Sequence, residues 1–118
     1  MIEIKTPTTA QKPDFVTGKK TQPYKFACDV CNSSIAIDFG RQINNSWTGR
    51  TEKINEEETR ELRSFYGIGL SGKSHDGGLP IFDRVSCKKC GTDYITYCGV
   101  IENSNSAYAV TVNGIIRK

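Results

Sequence analysis

Four cysteines are the residues in this chain best placed to do chemistry together. They form two pairs, Cys28-x-x-Cys31 and Cys87-x-x-Cys90. A C-x-x-C turn lets two thiolates reach one ion, and two such turns supply the four sulfurs of a closed tetrahedral site. With no position left for water or substrate, such a metal is structural. Disulfides are the first alternative, and they need an oxidising compartment. The opening residues, "MIEIKTPTTAQKPDFVTG", have no apolar signal core, so the expected location is cytoplasmic. A redox C-x-x-C should open a helix after a strand, whereas each pair here lies between strand-like runs. Iron also accepts four thiolates; zinc is the expected ion, one per chain.

A second stretch invites a different chemistry. "GIGLSGKSHDGG", residues 67–78, fits two phosphate-loop patterns at once: Gly67, Gly72, Lys73 and Ser74 match one, and Gly67, Gly69 and Gly72 the other. Both patterns need a strand leading in and a helix leading out, so that helix N–H groups face the phosphates. Here the order is reversed. "INEEETRELRSFYG" before the loop is the best helix of the chain, with Asn55 and Glu58 as a capping box and three glutamates at its positive end. Gly67 falls at the left-handed C-terminal position. "SHDGGLP" after Lys73 cannot carry a helix. No nucleotide is expected to bind.

The second knuckle, "CKKCGTDY", resembles the zinc-ribbon family, whose common form is C-x-x-C-G; the first, "CDVCNS", has Asn32 in the glycine position, and asparagine also tolerates left-handed geometry. The resemblance implies Cys28, Cys31, Cys87 and Cys90 as ligands of a structural zinc. It covers the two hairpins only. The 55 residues from Asn32 to Ser86 exceed the usual ribbon spacing and read as an insertion. The resemblance is architectural and does not carry a function.

Other reactive side chains stand alone. Cys98 reads as a small buried side chain of a strand. His75, the single histidine, and Asp76 sit in the glycine loop with no nucleophile near in sequence, and read as solvated. Trp47 reads as an anchor for its loop, or else as a partner-binding aromatic. Tyr94, Tyr97 and Tyr108, with Arg84, could line a face for stacking bases.

These residues need elements to hold them. "YKFAC" and "SIAIDF" alternate as two strands joined through the first knuckle. "FDRVSC", "DYITYCGVIE" and "SAYAVTV" are three more strand-like runs, and Asn113-Gly114 is a hairpin turn signal. Residues 40–54 read as a polar loop. The expected fold is mainly β (α+β): zinc-ribbon-like antiparallel hairpins with one inserted helix at about 55–66. In 118 residues this makes one domain, 23–118, behind a flexible basic arm, 1–22. Lys5, Lys12, Lys19, Lys20 and Lys25 against Glu3 and Asp14 give residues 1–25 the whole net charge of +3. Ile2 and Ile4 alternate, which would suit a short edge strand within that arm. No run approaches the ~18 apolar residues of a membrane span.

The reading is a small intracellular zinc-stabilised binding protein without catalysis: a protein-interaction, inhibitor or immunity-type module. A protein partner is favoured because the folded part is charge-neutral. Nucleic-acid binding is the alternative, and an enzyme using His75 and Asp76 the third.

Overall fold

Antiparallel pairing organises the whole chain. The structure, a computed structural model, describes residues 2–5, 10–11, 24–48, 53–69, 72–75, 77–104 and 107–117. Its elements are β1 (Ile2–Lys5), β2 (Ala10–Gln11), β3 (Tyr24–Ala27), β4 (Ser34–Ile37), α1 (Phe39–Thr48), α2 (Glu56–Phe65), β5 (Leu79–Ser86), β6 (Asp93–Ser104) and β7 (Ala107–Arg117). One sheet runs in the order β1-β7-β6-β5, with β2 also paired to β7; β3 and β4 form a separate hairpin. The mainly-β expectation holds.

The large sheet is buried on both faces, and the alternation along β6 says what covers each. Tyr94, Cys98 and Val100 point to one side, where they meet Val110, Val112 and Ile115 of β7 and Phe26, Ile35 and Ile37 of the β3–β4 hairpin. Ile95 and Tyr97 point to the other, where Phe82 and Ile116 meet Leu62 of α2 with Ile54 and Ile68 beside it. The sheet thus has a hairpin on one face and α2 on the other.

α2 forms as its sequence predicts. Asn55 accepts from the Glu58 N–H at 2.8 Å and Glu58 reaches back to the Asn55 N–H, a complete capping box. Gly67 follows the helix at φ 70°. The glycine loop therefore links a helix to a strand, the reverse of a phosphate loop. Within it, Arg63 donates to the carbonyl of Gly69 at 2.7 Å, and the Ser74 hydroxyl accepts from the Gly78 N–H at 3.1 Å.

Three expectations are corrected. Residues 40–54 are not one polar loop: Phe39–Thr48 is a second helix. Asn and Ser are weak helix formers, and the order comes from tertiary contact. Asp38 accepts from the Gly40 N–H at 2.9 Å, and Arg41 and Gln42 bind Asp83 of β5. Asn113-Gly114 is not a turn. It is a bulge inside β7, where pairing steps from Tyr97↔Gly114 to Cys98↔Val112. Residues 2–5 and 10–11, assigned to a flexible arm, are strands on β7. The outer edge of β7 would otherwise leave its N–H and C=O groups unpaired, and the alternating Ile2 and Ile4 suit a strand there. The rest of that arm, residues 1, 6–9 and 12–22, lies outside the described residues.

Candidate metal centre

The two knuckles repeat one backbone design. In the β3–β4 turn, the Cys28 N–H donates to the Ser33 carbonyl at 2.8 Å and the Asn32 N–H to the Cys28 carbonyl at 2.9 Å. In the β5–β6 turn, the Cys87 N–H donates to Thr92 at 2.9 Å and the Gly91 N–H to Cys87 at 2.8 Å. The residue after the second cysteine is left-handed in both: Asn32 at φ 63° and Gly91 at φ 77°. Asparagine stands in for glycine in the first knuckle because its short polar side chain tolerates that region.

Packing the β3–β4 hairpin onto the sheet brings the knuckles face to face. Cys28 Sγ lies 3.6 Å from Cys90 Sγ, and Cys31 Sγ lies 3.4 Å from Cys87 Sγ. All four sulfurs lie within 4.8 Å of one another. A tetrahedral ion with thiolates at about 2.3 Å sets sulfur–sulfur edges of roughly 3.8 Å, so the cluster fits one ion. The four side chains, none in a disulfide, are those expected from the spacing.

A hydrogen-bonded chain orients this site. Tyr94 is fully buried. Its hydroxyl accepts from the Asp29 N–H at 3.0 Å, and its proton lies between Cys28 Sγ at 3.1 Å and the Asp29 carboxylate. Arg117 Nε donates to the other Asp29 oxygen at 2.8 Å. Burial works against a charged Cys28, but Tyr94 and the N–H groups of Cys31 and Val30 outweigh it, and the thiol falls to about 6. Cys31 is lowered too, chiefly by the Ser33 hydroxyl. For Cys87 the N–H of Cys90 favours the thiolate, yet burial and the neighbouring thiols outweigh it and push the group up. Asp29 is held below the carboxylate range by Tyr94 and then Arg117. Burial and the two anionic neighbours push the Tyr94 phenol well above its ordinary value, so it stays a donor.

Tyr94, Asp29 and Arg117 were not legible as a unit. Asp29 sits inside the first knuckle and Tyr94 four residues past Cys90, but Arg117 is 88 residues from Asp29.

The remaining candidates are dispersed. Cys98 is buried in the core and is not part of the thiol cluster. Tyr94, Tyr97 and Tyr108 are all buried, which removes the proposed stacking face. His75 is exposed; its Nδ1 lies 2.9 Å from the Tyr97 hydroxyl, which also accepts the His75 N–H at 3.0 Å. Asp76 and the side chain of Trp47 lie outside the described residues. No helix among the described residues is long and apolar enough to cross a membrane.

No protein-family model, curated protein or solved structure matches the chain.

Proposed function

We propose that the chain is a zinc-stabilised binding module that works by presenting a surface and not by catalysis, and that its partner is a protein. Zinc suits four converging thiolates in tetrahedral geometry, and four protein ligands close the ion to substrate.

One observation carries the choice of partner. At the tip of the first knuckle, between two metal ligands, Val30 is 60% exposed. At the adjoining tip, Lys88 and Lys89 are exposed as well. An apolar residue ringed by polar ones matches the core-and-rim anatomy of a protein interface. A single-strand binder instead displays aromatic side chains along a basic groove, and Tyr94, Tyr97 and Tyr108 are buried here. The metal would hold this surface rigid, because both tips hang from its ligands.

Native mass spectrometry should find one zinc per chain, lost in Cys28→Ser and Cys90→Ser. Cross-linked capture from the native host, with identification of the captured protein, should depend on Val30. Val30→Asp should abolish capture and keep the zinc. Nucleic-acid binding with a steep salt slope, unaffected by Val30→Asp, would move the reading to the nucleic-acid alternative.

A further inference from the structure

The four clustered thiols differ in their access to solvent. Cys28 and Cys87 are each 2% exposed, Cys31 is half-buried and Cys90 is exposed. The cluster therefore has a closed side and an open side, and the open side is a single sulfur. The fifth thiol, Cys98, is fully buried in the core and lies outside the cluster.

The neighbours of the open sulfur decide where a reaction there leads. Cys90 Sγ lies 3.6 Å from Cys28 Sγ, and Cys31 Sγ lies 3.4 Å from Cys87 Sγ. Each contact takes one sulfur from each knuckle and joins residues 62 or 56 positions apart. A disulfide holds its sulfurs at about 2.05 Å, so closing either contact asks for a shift of about 1.5 Å. An exposed thiolate poised beside a resolving thiol is the arrangement of a reversibly oxidised site. A zinc ion bound here keeps its sulfurs deprotonated.

We infer that Cys90 is a modification site for hydroperoxides, and that its oxidation ends in a Cys28–Cys90 disulfide that replaces the metal as the link between the knuckles. The Cys90 thiolate attacks the terminal hydroperoxide oxygen. The O–O bond breaks, and the departing alkoxide or hydroxide takes a proton from water. Cys90 is then a sulfenic acid. The Cys28 thiolate attacks its sulfur, the S–O bond breaks, and the hydroxide that leaves is protonated in turn. Two thiolates lose two electrons in all. The hydroperoxide gains them and ends as an alcohol, or water, plus one water. Two of the four ligands are then gone, and the remaining two do not make the closed site that holds zinc. The β3–β4 hairpin does not follow the ion, because the bridge ties Cys28, just past β3, to Cys90 in the β5–β6 turn. The oxidised chain gives up its metal and keeps its hairpin. Only the release step rests on the zinc reading; the bridge rests on the four thiols.

The test uses the full chain purified under reducing conditions, with its zinc content measured first. Limiting iodoacetamide should alkylate Cys90 before any other cysteine. Equimolar hydrogen peroxide, followed by non-reducing peptide mapping, should give a Cys28–Cys90 cross-linked peptide with Cys98 still a thiol. A chromogenic chelator too weak to strip the reduced protein should report zinc release in step with the bridge. Hydrogen exchange should show residues 24–37 as protected as before oxidation. Dithiothreitol with added zinc should reverse the bridge and the release, and Cys98→Ala should change none of this. If the purified chain holds no zinc, the zinc reading fails, while the alkylation order and the peptide map still decide this proposal. Alkylation that starts elsewhere would overturn it, as would a first bridge between any other pair or sulfinic acid at Cys90 with no bridge. A bridged chain that loses protection over 24–37 would overturn it too.

Discussion

Removing the metal should release the β3–β4 hairpin and leave the rest of the sheet folded. A two-stranded hairpin is marginal by itself. This one spans 14 residues, Tyr24 to Ile37. Ordering them costs roughly 14–28 kcal/mol at 1–2 kcal/mol per backbone residue. Its buried apolar side chains are Phe26, Ile35 and Ile37, which contribute about 5–9 kcal/mol at 1.5–3 each. Structural zinc adds on the order of 10–16 kcal/mol. With the metal the two sides balance within a few kcal/mol; without it the hairpin has no means of staying ordered. The other face of the sheet is different. Its core of Leu62, Phe82, Ile95, Tyr97 and Ile116 contains no thiolate, and α2 carries its own cap. Hydrogen exchange read residue by residue after chelation should show protection lost over 24–37 and retained in β6, β7 and α2. The uncovered Val110, Val112 and Ile115 should then bind a hydrophobic dye. Uniform loss of protection would refute the reasoning, and show that the whole fold leans on the metal. Retained hairpin protection would refute it from the other side.

Three further outcomes follow from particular contacts. A Cβ on Gly114 would lie 2.4 Å from Tyr66 Oη and 2.9 Å from its ring, so Gly114→Ala should push that ring off Tyr97 and lower stability by about 1–3 kcal/mol in thermal unfolding, with zinc retained. In the chelated protein, any residual hairpin protection should rise between pH 6 and 9. Cys28 titrates at about 6 in the fold against an ordinary 9.0; a depressed pKa stabilises above the unfolded value and is lost as pH falls through the folded one. Cys31 acts in the same direction and Cys87 in the opposite one. Tyr94→Phe removes the donor that lowers Cys28 and should flatten that rise. Finally, Lys73→Ala should leave both melting temperature and nucleotide titrations unchanged; calorimetric binding of ATP that this change abolishes would reopen the phosphate-loop reading.

The features readable from sequence were those written in consecutive residues. Two C-x-x-C turns between alternating strands state their chemistry locally, as do the Asn55–Glu58 box and Gly67. The reversed order of helix and glycine loop was legible for the same reason. The elements that escaped depend on what lies across the fold. α1 spells a weak local signal, "FGRQINNSWT", in which Phe39, Ile43 and Trp47 do recur at helical spacing. Its polar residues hid that period, and Asp83, 42 residues from Arg41, supplies the anchor. Asn113-Gly114 has turn chemistry, yet pairing with β6 and the Tyr66 ring made it a bulge. Ile2 and Ile4 hinted at an edge strand, but only the open edge of β7, at the far end of the chain, gave it a partner. The same holds at the metal centre. Residue type and spacing picked out the four thiols that cluster, whereas the tertiary structure brought Tyr94, Asp29 and Arg117 around Cys28. Ligand choice is a matter of reach within a turn; what surrounds the ligands is decided by which strands pack together, and no local pattern records that.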